Sequence, residues 1–376
     1  MLFRSDRELL LNRLFSYSTE WVEPDKTQND FYTRIVHRTP SPSEYCPLMR
    51  IVGLYPVFAV PTLWGTNQTY NIFRQWHRTP LEKLEVYGQL TVYAFPVDKR
   101  ASRSAVNSMF ASSRRNAFGF PELTPAETGQ LASAFAPAFQ QDVTENYDKI
   151  GTIVWQDNLV RVDSNKPAVY YYLSQAFIKG EPVLQMNYAV WYSARSGSHA
   201  PWLERGPLDG FTTRITFDDA GDPIMLDVAN NCGCYHFFVP RKEKVLRVKS
   251  NFLLNPLVAA WLPQDFPQKH LALRINAGWH QVQHIDAGEV SSGAISYQLL
   301  PYEILESLPH SDGRTESVFN ANGIMKDSKR IEPWFFFPSG IPHVGYMRQR
   351  EHHPIKLVGQ AYFEDPEILD RNFEFR

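Results

Sequence analysis

The stretch FTTRITFDDAGDPIMLDVANNCGCYHFFVP, Phe211–Pro240, contains the strongest fold signal in the chain. Apolar and polar residues alternate on both sides of Asp218–Pro223, a segment rich in Asp, Gly and Pro. Alternation around turn-forming residues predicts a β-hairpin whose return strand ends at Cys232. A second hairpin is predicted in AVYYYLSQAFIKGEPVLQMNYAVWYSA, with its turn at Lys179–Pro182. Two long neighbouring hairpins favour an antiparallel sheet.

The surrounding sequence places helices and strands in different parts of the chain. Helices are predicted over Arg4–Tyr17 and from Thr124, where Thr124, Pro125 and Glu127 match a capped N-terminus. Later segments such as HLALRINAGWHQVQHID and EPWFFFPSGIPHVGYM continue the strand pattern. We therefore predict an α+β fold, predominantly antiparallel β in the C-terminal two-thirds with helices mainly in the N-terminal third. Residues 1–145 form a mixed helical and loop region, and residues 146–376 form the β-rich domain.

Composition limits the class of partner. The 376 residues are 43% hydrophobic, which is enough for a large core. The chain has 38 basic and 40 acidic residues. A net charge of −2 disfavours nucleic-acid binding through a broad basic face, so a small-molecule or peptide substrate is expected. The apolar run Ile51–Gly65 is shorter than a membrane span of about 20 residues, and the N-terminus lacks a signal-peptide pattern. A soluble, cytoplasmic protein is expected.

Cys232, Cys234 and His236 suggest a metal site. On a strand, side chains two residues apart lie on the same face, and two thiolates with an imidazole suit copper or zinc, with iron also suitable. A straight strand would separate Cys232 and His236 by about 13 Å, too far for one ion. Gly233 would have to bend the chain, or other ligands would have to come from elsewhere.

Two other interpretations of this segment stay open. Cysteines beside Phe237 and Phe238 can simply be core residues, because cysteine is often buried. The two thiols can also form a redox or disulfide pair.

Four remote histidines are candidates for completing a metal site. His280 and His284 are four residues apart, and on a strand only one of them could reach a given ion. GIPHVGYMRQREHHP, residues 340–354, contributes His343 and His352. Glycines on both sides of His343 would let its segment fold back, so His343 is the first choice. Arg348 or Arg350 is a candidate for holding a carboxylate or phosphate. A polar strand edge and a solvated basic turn explain the same residues without function.

The chain resembles a family of uncharacterised bacterial proteins. The resemblance covers about a third of the chain, in LDGFTTRITFDDAGDPIMLDVANNCGCYHFF and GYMRQREHHPIKLVGQAYFEDPEILDRNF. It implies that these two segments are genuine features shared with the family, and it assigns no activity and no catalytic residue.

The leading functional hypothesis is a metal-dependent enzyme, an oxidoreductase acting on a small or peptide-like substrate, with Cys234, His343 and Arg348 in catalysis. The first alternative is a hydrolase or transferase with Cys232 or Cys234 as nucleophile, a histidine as base, and Asp227 or Asp286 orienting it. The second alternative is a non-catalytic binding protein stapled by a metal.

Overall fold

The computed structural model describes residues 44–251 and 253–376. The helix predicted over Arg4–Tyr17 lies outside this part of the chain. Most helical residues of the described chain precede residue 136, and strands dominate after it, so the predicted α+β class is confirmed.

Six α-helices occur in the described residues. They are α1 Pro47–Val52, α2 Tyr55–Arg78, α3 Arg103–Ser112, α4 Pro125–Phe135, α5 Pro333–Phe336 and α6 Ile368–Asn372. The predicted cap of α4 is present: the Thr124 hydroxyl accepts from the Glu127 amide, and the Glu127 carboxylate accepts from the Thr124 amide. Short 3₁₀ turns include Trp202–Glu204 and Phe337–Ser339. No helix of the described chain combines the length and the apolar character needed to cross a membrane.

Seventeen strands occur in the same residues. They are β1 Gln89–Ala94, β2 Ala138–Val143, β3 Thr152–Gln156, β4 Leu159–Asp163, β5 Ala168–Ile178, β6 Glu181–Arg195, β7 Gly206–Phe217, β8 Pro223–Asn230, β9 Phe237–Pro240, β10 Val245–Val248, β11 His270–Ile275, β12 Val282–Gly288, β13 Ile295–Ser296, β14 Gln298–Pro301, β15 Leu308–Pro309, β16 Thr315–Glu316 and β17 Phe373–Phe375.

The central sheet has the strand order β14-β5-β6-β7-β8-β9. Its pairs are antiparallel except for β14 and β5. Both predicted hairpins are present, β5–β6 and β7–β8, and the Asp218 amide closes the second turn by donating to the Asp222 carbonyl at 2.9 Å. All eight residues of β8 are buried, so both faces of the sheet are covered and its polar side chains must find partners inside the protein.

A second sheet, ordered β12-β11-β2-β1-β13, packs on one side of the central sheet together with α3 and α4. Phe139 of β2 and Leu273 of β11 belong to the same core cluster as Tyr188 and Phe211 of the central sheet. This second sheet combines strands from both sides of residue 145. The division into domains at that residue stays a prediction.

One predicted strand is wrong. Residues 333–339 form α5 followed by a 3₁₀ turn, and Gly340 ends the turn in the left-handed region at a φ of 80°. Pro333 lies in the first turn of α5, where backbone amides have no partner within the helix, so the missing N–H of proline costs no hydrogen bond. The apolar run at 334–337 contains no alternation, and Trp334 and Phe335 are exposed, so it does not behave as a core strand.

Candidate thiol site and its cavity

Cys232 and Cys234 lie in the turn that joins β8 to β9. The Gly233 amide donates to the Asn230 carbonyl at 2.7 Å, and the Asn230 amide donates to the Cys234 carbonyl at 2.9 Å. The prediction that β8 delivers Cys232 to its end is confirmed. The extended arrangement that put Cys232, Cys234 and His236 on one strand face is wrong, because the chain reverses between them.

Gly233 makes this reversal possible. Its φ is +93°, and a Cβ there would stand 2.3 Å from the Pro354 carbonyl oxygen. The required conformation favours glycine, and the close approach of residue 354 leaves no room for a larger side chain.

Asn231 fastens the turn to the sheet. Its backbone amide donates to the Gly210 carbonyl at 2.9 Å, and its side-chain Nδ2 donates to the Val190 carbonyl at 3.0 Å. Its carbonyl accepts from the Arg348 amide at 2.7 Å. The thiols are therefore held at a fixed position relative to β6, β7 and the C-terminal segment.

A cavity of about 460 Å³ lies beside the turn. Five polar lining residues interact with one another: Glu204, Cys232, Cys234, Tyr235 and Glu332. Much of the remaining wall is apolar and includes Phe58, Pro61, Leu63, Phe336, Leu357 and Val358. The combination of apolar walls with a few convergent polar groups is typical of small-molecule sites.

The two thiols differ in acidity. Hydrogen bonding with the Cys234 side chain, helped by the charge of Arg195, lowers the pKa of Cys232 to about 6 against the opposing effect of burial. The same bond, together with burial, raises the pKa of Cys234 well above its usual value. The surroundings therefore favour the thiolate form at Cys232 and the thiol form at Cys234.

Arg195 is held beside the thiols by two carboxylates. Its Nε and Nη2 atoms donate to the two Asp209 oxygens, each at 2.9 Å, and Nη1 donates to Glu204. Glu204 also accepts from the Tyr235 hydroxyl and from the Trp279 indole nitrogen at 2.9 Å. Arg195 has an exposed fraction of 2%, so its charge acts on Cys232 with little screening by water.

Glu332 is an acid in its protonated form. Burial, with the negative charges of Cys232 and Glu204, raises the pKa of Glu332 to about 8. At pH 7 the Glu332 side chain therefore carries a proton, and it lines the cavity together with Cys232. A buried carboxylic acid next to a nucleophile can give a proton to a leaving group.

His280 lies outside the cavity lining, deep in the Arg195 network. Its Nδ1 is 2.7 Å from Asp209 Oδ2, and its Nε2 is 2.9 Å from Asp148 Oδ1. Burial opposes the charge, but the two carboxylates outweigh it and raise the pKa of His280. Both ring nitrogens are committed to carboxylates, so in this arrangement neither can bind a metal.

His236 lines the cavity, and Asp227 orients it. The distance from His236 Nε2 to Asp227 Oδ2 is 2.8 Å, and Arg214 holds Asp227 through two further hydrogen bonds at 3.0 and 2.6 Å. Burial lowers the pKa of His236 more than Asp227 raises it, so the ring is neutral at pH 7. The predicted pairing of a histidine with Asp227 matches this geometry, whereas Asp286 is an exposed residue of β12.

The other predicted site residues are dispersed. His284 is a half-buried residue of β12 opposite Arg274, and His343 is exposed with a φ of 54°. His352 is 2.7 Å from Glu44 through Nδ1, and Arg348 donates to the same carboxylate and to the Pro342 carbonyl at 2.7 Å. None of the four lines the cavity.

Within residues 44–251 and 253–376, no group of three or more His, Cys, Asp or Glu side chains is placed to hold a metal ion. The copper, zinc or iron centre is therefore unsupported in the described chain. The assignment of those residues to a metal stays a prediction.

Sequence reasoning missed Glu204 and Glu332. Glu332 is the one acid between Asp327 and Glu351, in a segment otherwise rich in aromatic and small residues, and this isolation was a usable signal. Glu204 lies in the loop between β6 and β7, beside Trp202, and loops that connect strands often carry binding residues.

Comparisons of the chain with family models, curated proteins and solved structures found no match. The functional argument therefore rests on the geometry and electrostatics of the cavity.

Proposed function

We propose that the protein is a thiol-dependent hydrolase or transferase in which Cys232 attacks a carbonyl carbon of a substrate bound in the cavity. The observation that carries the proposal is the pair of unlike thiols. Cys232 has its pKa lowered by the Cys234 hydrogen bond and by Arg195, and it lines a cavity with an acid of raised pKa, Glu332. Perturbed acidities of opposite sense in one cavity favour a reacting pair.

The reaction follows from these groups. The Cys232 thiolate forms a bond to the carbonyl carbon, and the bond from that carbon to the leaving group breaks, giving an acyl thioester. Glu332 donates its proton to the departing oxygen or nitrogen. Water, or another acceptor, then attacks the thioester while the Glu332 carboxylate takes up its proton, and Cys232 leaves as thiolate.

Cys234 has a supporting role in this scheme. Its S–H stabilises the Cys232 thiolate both before attack and when the thiolate leaves. Its raised pKa keeps that proton in place at neutral pH.

The contact between the two thiols also favours a second candidate, a dithiol oxidoreductase. The Cys232 thiolate would attack a substrate disulfide, giving a mixed disulfide and one substrate thiol. Cys234 would then attack Cys232, releasing the second substrate thiol and leaving a Cys232–Cys234 disulfide. The substrate disulfide gains the two electrons that the dithiol loses. A metal-dependent oxidoreductase remains a third hypothesis, for which Cys232 and Cys234 supply two donors.

The proposal is tested by alkylation and by ester hydrolysis in the Cys46→Ser background, which leaves only these two cysteines. Iodoacetamide should modify Cys232 with a half-maximal rate near pH 6. Cys234→Ala, which removes the donor, should move that midpoint upward, whereas Cys234→Ser retains a donor and should move it less. Cys232→Ser should reduce p-nitrophenyl ester hydrolysis by about a thousandfold or more.

The outcomes separate the candidates. Hydrolysis that survives Cys232→Ser would contradict the nucleophile assignment. Disulfide reduction by the wild type, with Cys234→Ser trapped as a mixed disulfide, would select the oxidoreductase instead. Metal analysis of the purified protein tests the third hypothesis, since a stoichiometric transition metal lost in both cysteine variants would support it.

A further inference from the structure

An apolar patch covers the outside of the cavity wall. Its members come from α1, the first half of α2, α5 and two neighbouring turns, and all are exposed large hydrophobic residues: Leu48, Ile51, Val52, Leu54, Val57, Val60, Trp64, Trp202, Trp334, Phe335 and Phe337. Ring contacts connect these elements, with Phe58 against Phe336 at 6.3 Å and Trp202 against Phe335 at 5.8 Å. An exposed apolar surface of this extent marks a site of interaction.

The patch and the cavity share one helix. Phe58, Thr62 and Thr69 of α2 line the cavity, whereas Val57, Val60 and Trp64 lie three to four residues apart along the outer face. The first half of α2 does not pack into the protein core on either face, because the first buried residue of the helix is Phe73. The helix therefore separates the cavity from whatever covers the patch.

The chemistry of the patch fits a lipid surface. From Ile51 to Phe73 the chain has no charged residue over 23 positions, and Arg50 and Arg74 stand at its two ends. Protein interfaces carry a polar rim around their apolar centre, whereas the only polar side chains between Ile51 and Trp64 are Tyr55 and Thr62, and Thr62 faces the cavity. Exposed tryptophans, here Trp64 at 68% and Trp334 at 83%, are typical of side chains that insert at the membrane interface.

We propose that this patch docks on the surface of a lipid bilayer and that the cavity receives an acyl chain from it. Pro61 supports the connection, because it lines the cavity and is also exposed. The apolar wall formed by Phe58, Leu63 and Phe336 would hold the chain, with the carbonyl carbon at Cys232. The acyl substrate rests on the proposed thiol chemistry, whereas docking does not depend on it.

Docking is tested by sedimenting the full chain with phosphatidylcholine vesicles. The wild type should pellet with the vesicles, and raised salt should leave the bound fraction unchanged because no charged residue lies in the stretch. Trp64→Glu should weaken binding by about tenfold or more, since it removes one large apolar side chain from the lipid. Trp261→Glu is the matched control, at a tryptophan exposed by 44% outside the patch, and it should bind as the wild type does.

Several results would overturn the docking proposal. One is a wild type that stays in solution with the vesicles. Another is a wild-type dimer that Trp64→Glu dissociates without any vesicle binding, which would assign the patch to a second copy. Equal loss in the Trp64 and Trp261 variants, or strong salt dependence, would also contradict it.

A separate measurement tests the acyl substrate. The kcat/KM for p-nitrophenyl octanoate should exceed that for p-nitrophenyl acetate by about tenfold, because the longer chain buries more apolar surface in the cavity. Cys232→Ser should keep full vesicle binding, so failed chemistry and failed docking give different results. Equal rates for the two esters, both lost in Cys232→Ser, would sustain the thiol function and overturn the acyl-chain assignment.

Discussion

Two buried networks each join an arginine of the central sheet to a histidine through an aspartate, and they differ in the number of carboxylates that surround the two cations. In the first, Arg195 pairs with Asp209 and Glu204, and His280 lies between Asp209 and Asp148. Glu204 and the thiols of this region line the cavity. Three carboxylates therefore share Arg195 and His280, and Arg330 lies 3.6 Å from Asp209 as a third cation.

In the second network, Arg214 and Asp227 face each other directly across β7 and β8. Asp227 binds His236 on its other side, and the Arg214 guanidinium lies 3.8 Å from the centre of the Phe363 ring. Here one aspartate serves both an arginine and a histidine.

The difference shows that the number of carboxylates around a buried histidine decides its charge. His280 has two and its pKa is raised, whereas His236 has one, which does not overcome burial, and its pKa is lowered. The arginines differ as well. Arg195 lowers the pKa of a nearby thiol, Cys232, whereas Arg214 is not among the groups that change the pKa of Cys232.

The largest effects are expected from removing each arginine charge. Arg195→Met and Arg214→Met should each reduce the free energy of unfolding by about 3–5 kcal/mol, because each removes from a buried aspartate the arginine that binds both of its oxygens. Only Arg195→Met should raise the pKa of Cys232, read from the pH dependence of iodoacetamide alkylation. Arg195→Lys and Arg214→Lys retain the charge and keep the test informative if the methionine variants do not fold. An equal shift of the thiol pKa in both positions would contradict the separation of the networks.

A smaller effect is expected at the backbone of the thiol turn. Gly233→Ala should destabilise the protein by about 2–3 kcal/mol and slow alkylation of Cys232, because the left-handed conformation and the Pro354 carbonyl both oppose a Cβ. Gly180→Ala is the matched control. It has a φ of +79° with open space around it, so it should cost only about 1 kcal/mol, measured by chemical denaturation. Equal costs would show that the contact with Pro354 does not restrict the turn.

The smallest effects, and the most specific, concern the two histidines. The contribution of His280, whose pKa is raised in the fold, is fully present below the ordinary histidine value of about 6.5 and is lost as pH rises through the raised value. His236 has a lowered pKa, so the fold loses stability as pH falls below about 6.5 and the unfolded chain takes up a proton. His280→Gln and His236→Gln should each cost about 1–2 kcal/mol at pH 7.

The pH dependence of those costs is the decisive measurement. Urea unfolding at several pH values should give a cost for His280→Gln that decreases toward high pH and a cost for His236→Gln that decreases toward low pH. Slopes of the same sign would show that the two histidines do not differ in charge.

Local sequence was sufficient for the hairpins and for the cap of α4. Asp218–Pro223 forms its turn through residues at fixed short separations, and Thr124 and Glu127 are three residues apart. Because these signals depend only on residues close together in the chain, they can be recognised without knowledge of the rest of the fold. The strand predicted over residues 332–347 was wrong because an apolar run without alternation does not distinguish a helix from a strand.

The sequence by itself determined that Cys232 would follow the return strand of the Asp218–Pro223 hairpin and that Gly233 would permit a bend. Only the tertiary structure decided which groups surround the thiols. Arg195, Glu204 and Glu332 approach Cys232 from positions between 28 and 100 residues away in the chain, and no local pattern encodes that approach. The acidity of a thiol depends on the hydrogen bonds, charges and solvent within a few ångströms of it. Those neighbours are assembled by the packing of β6, β7 and the 332–345 segment, and so the character of the site was fixed only when the chain folded.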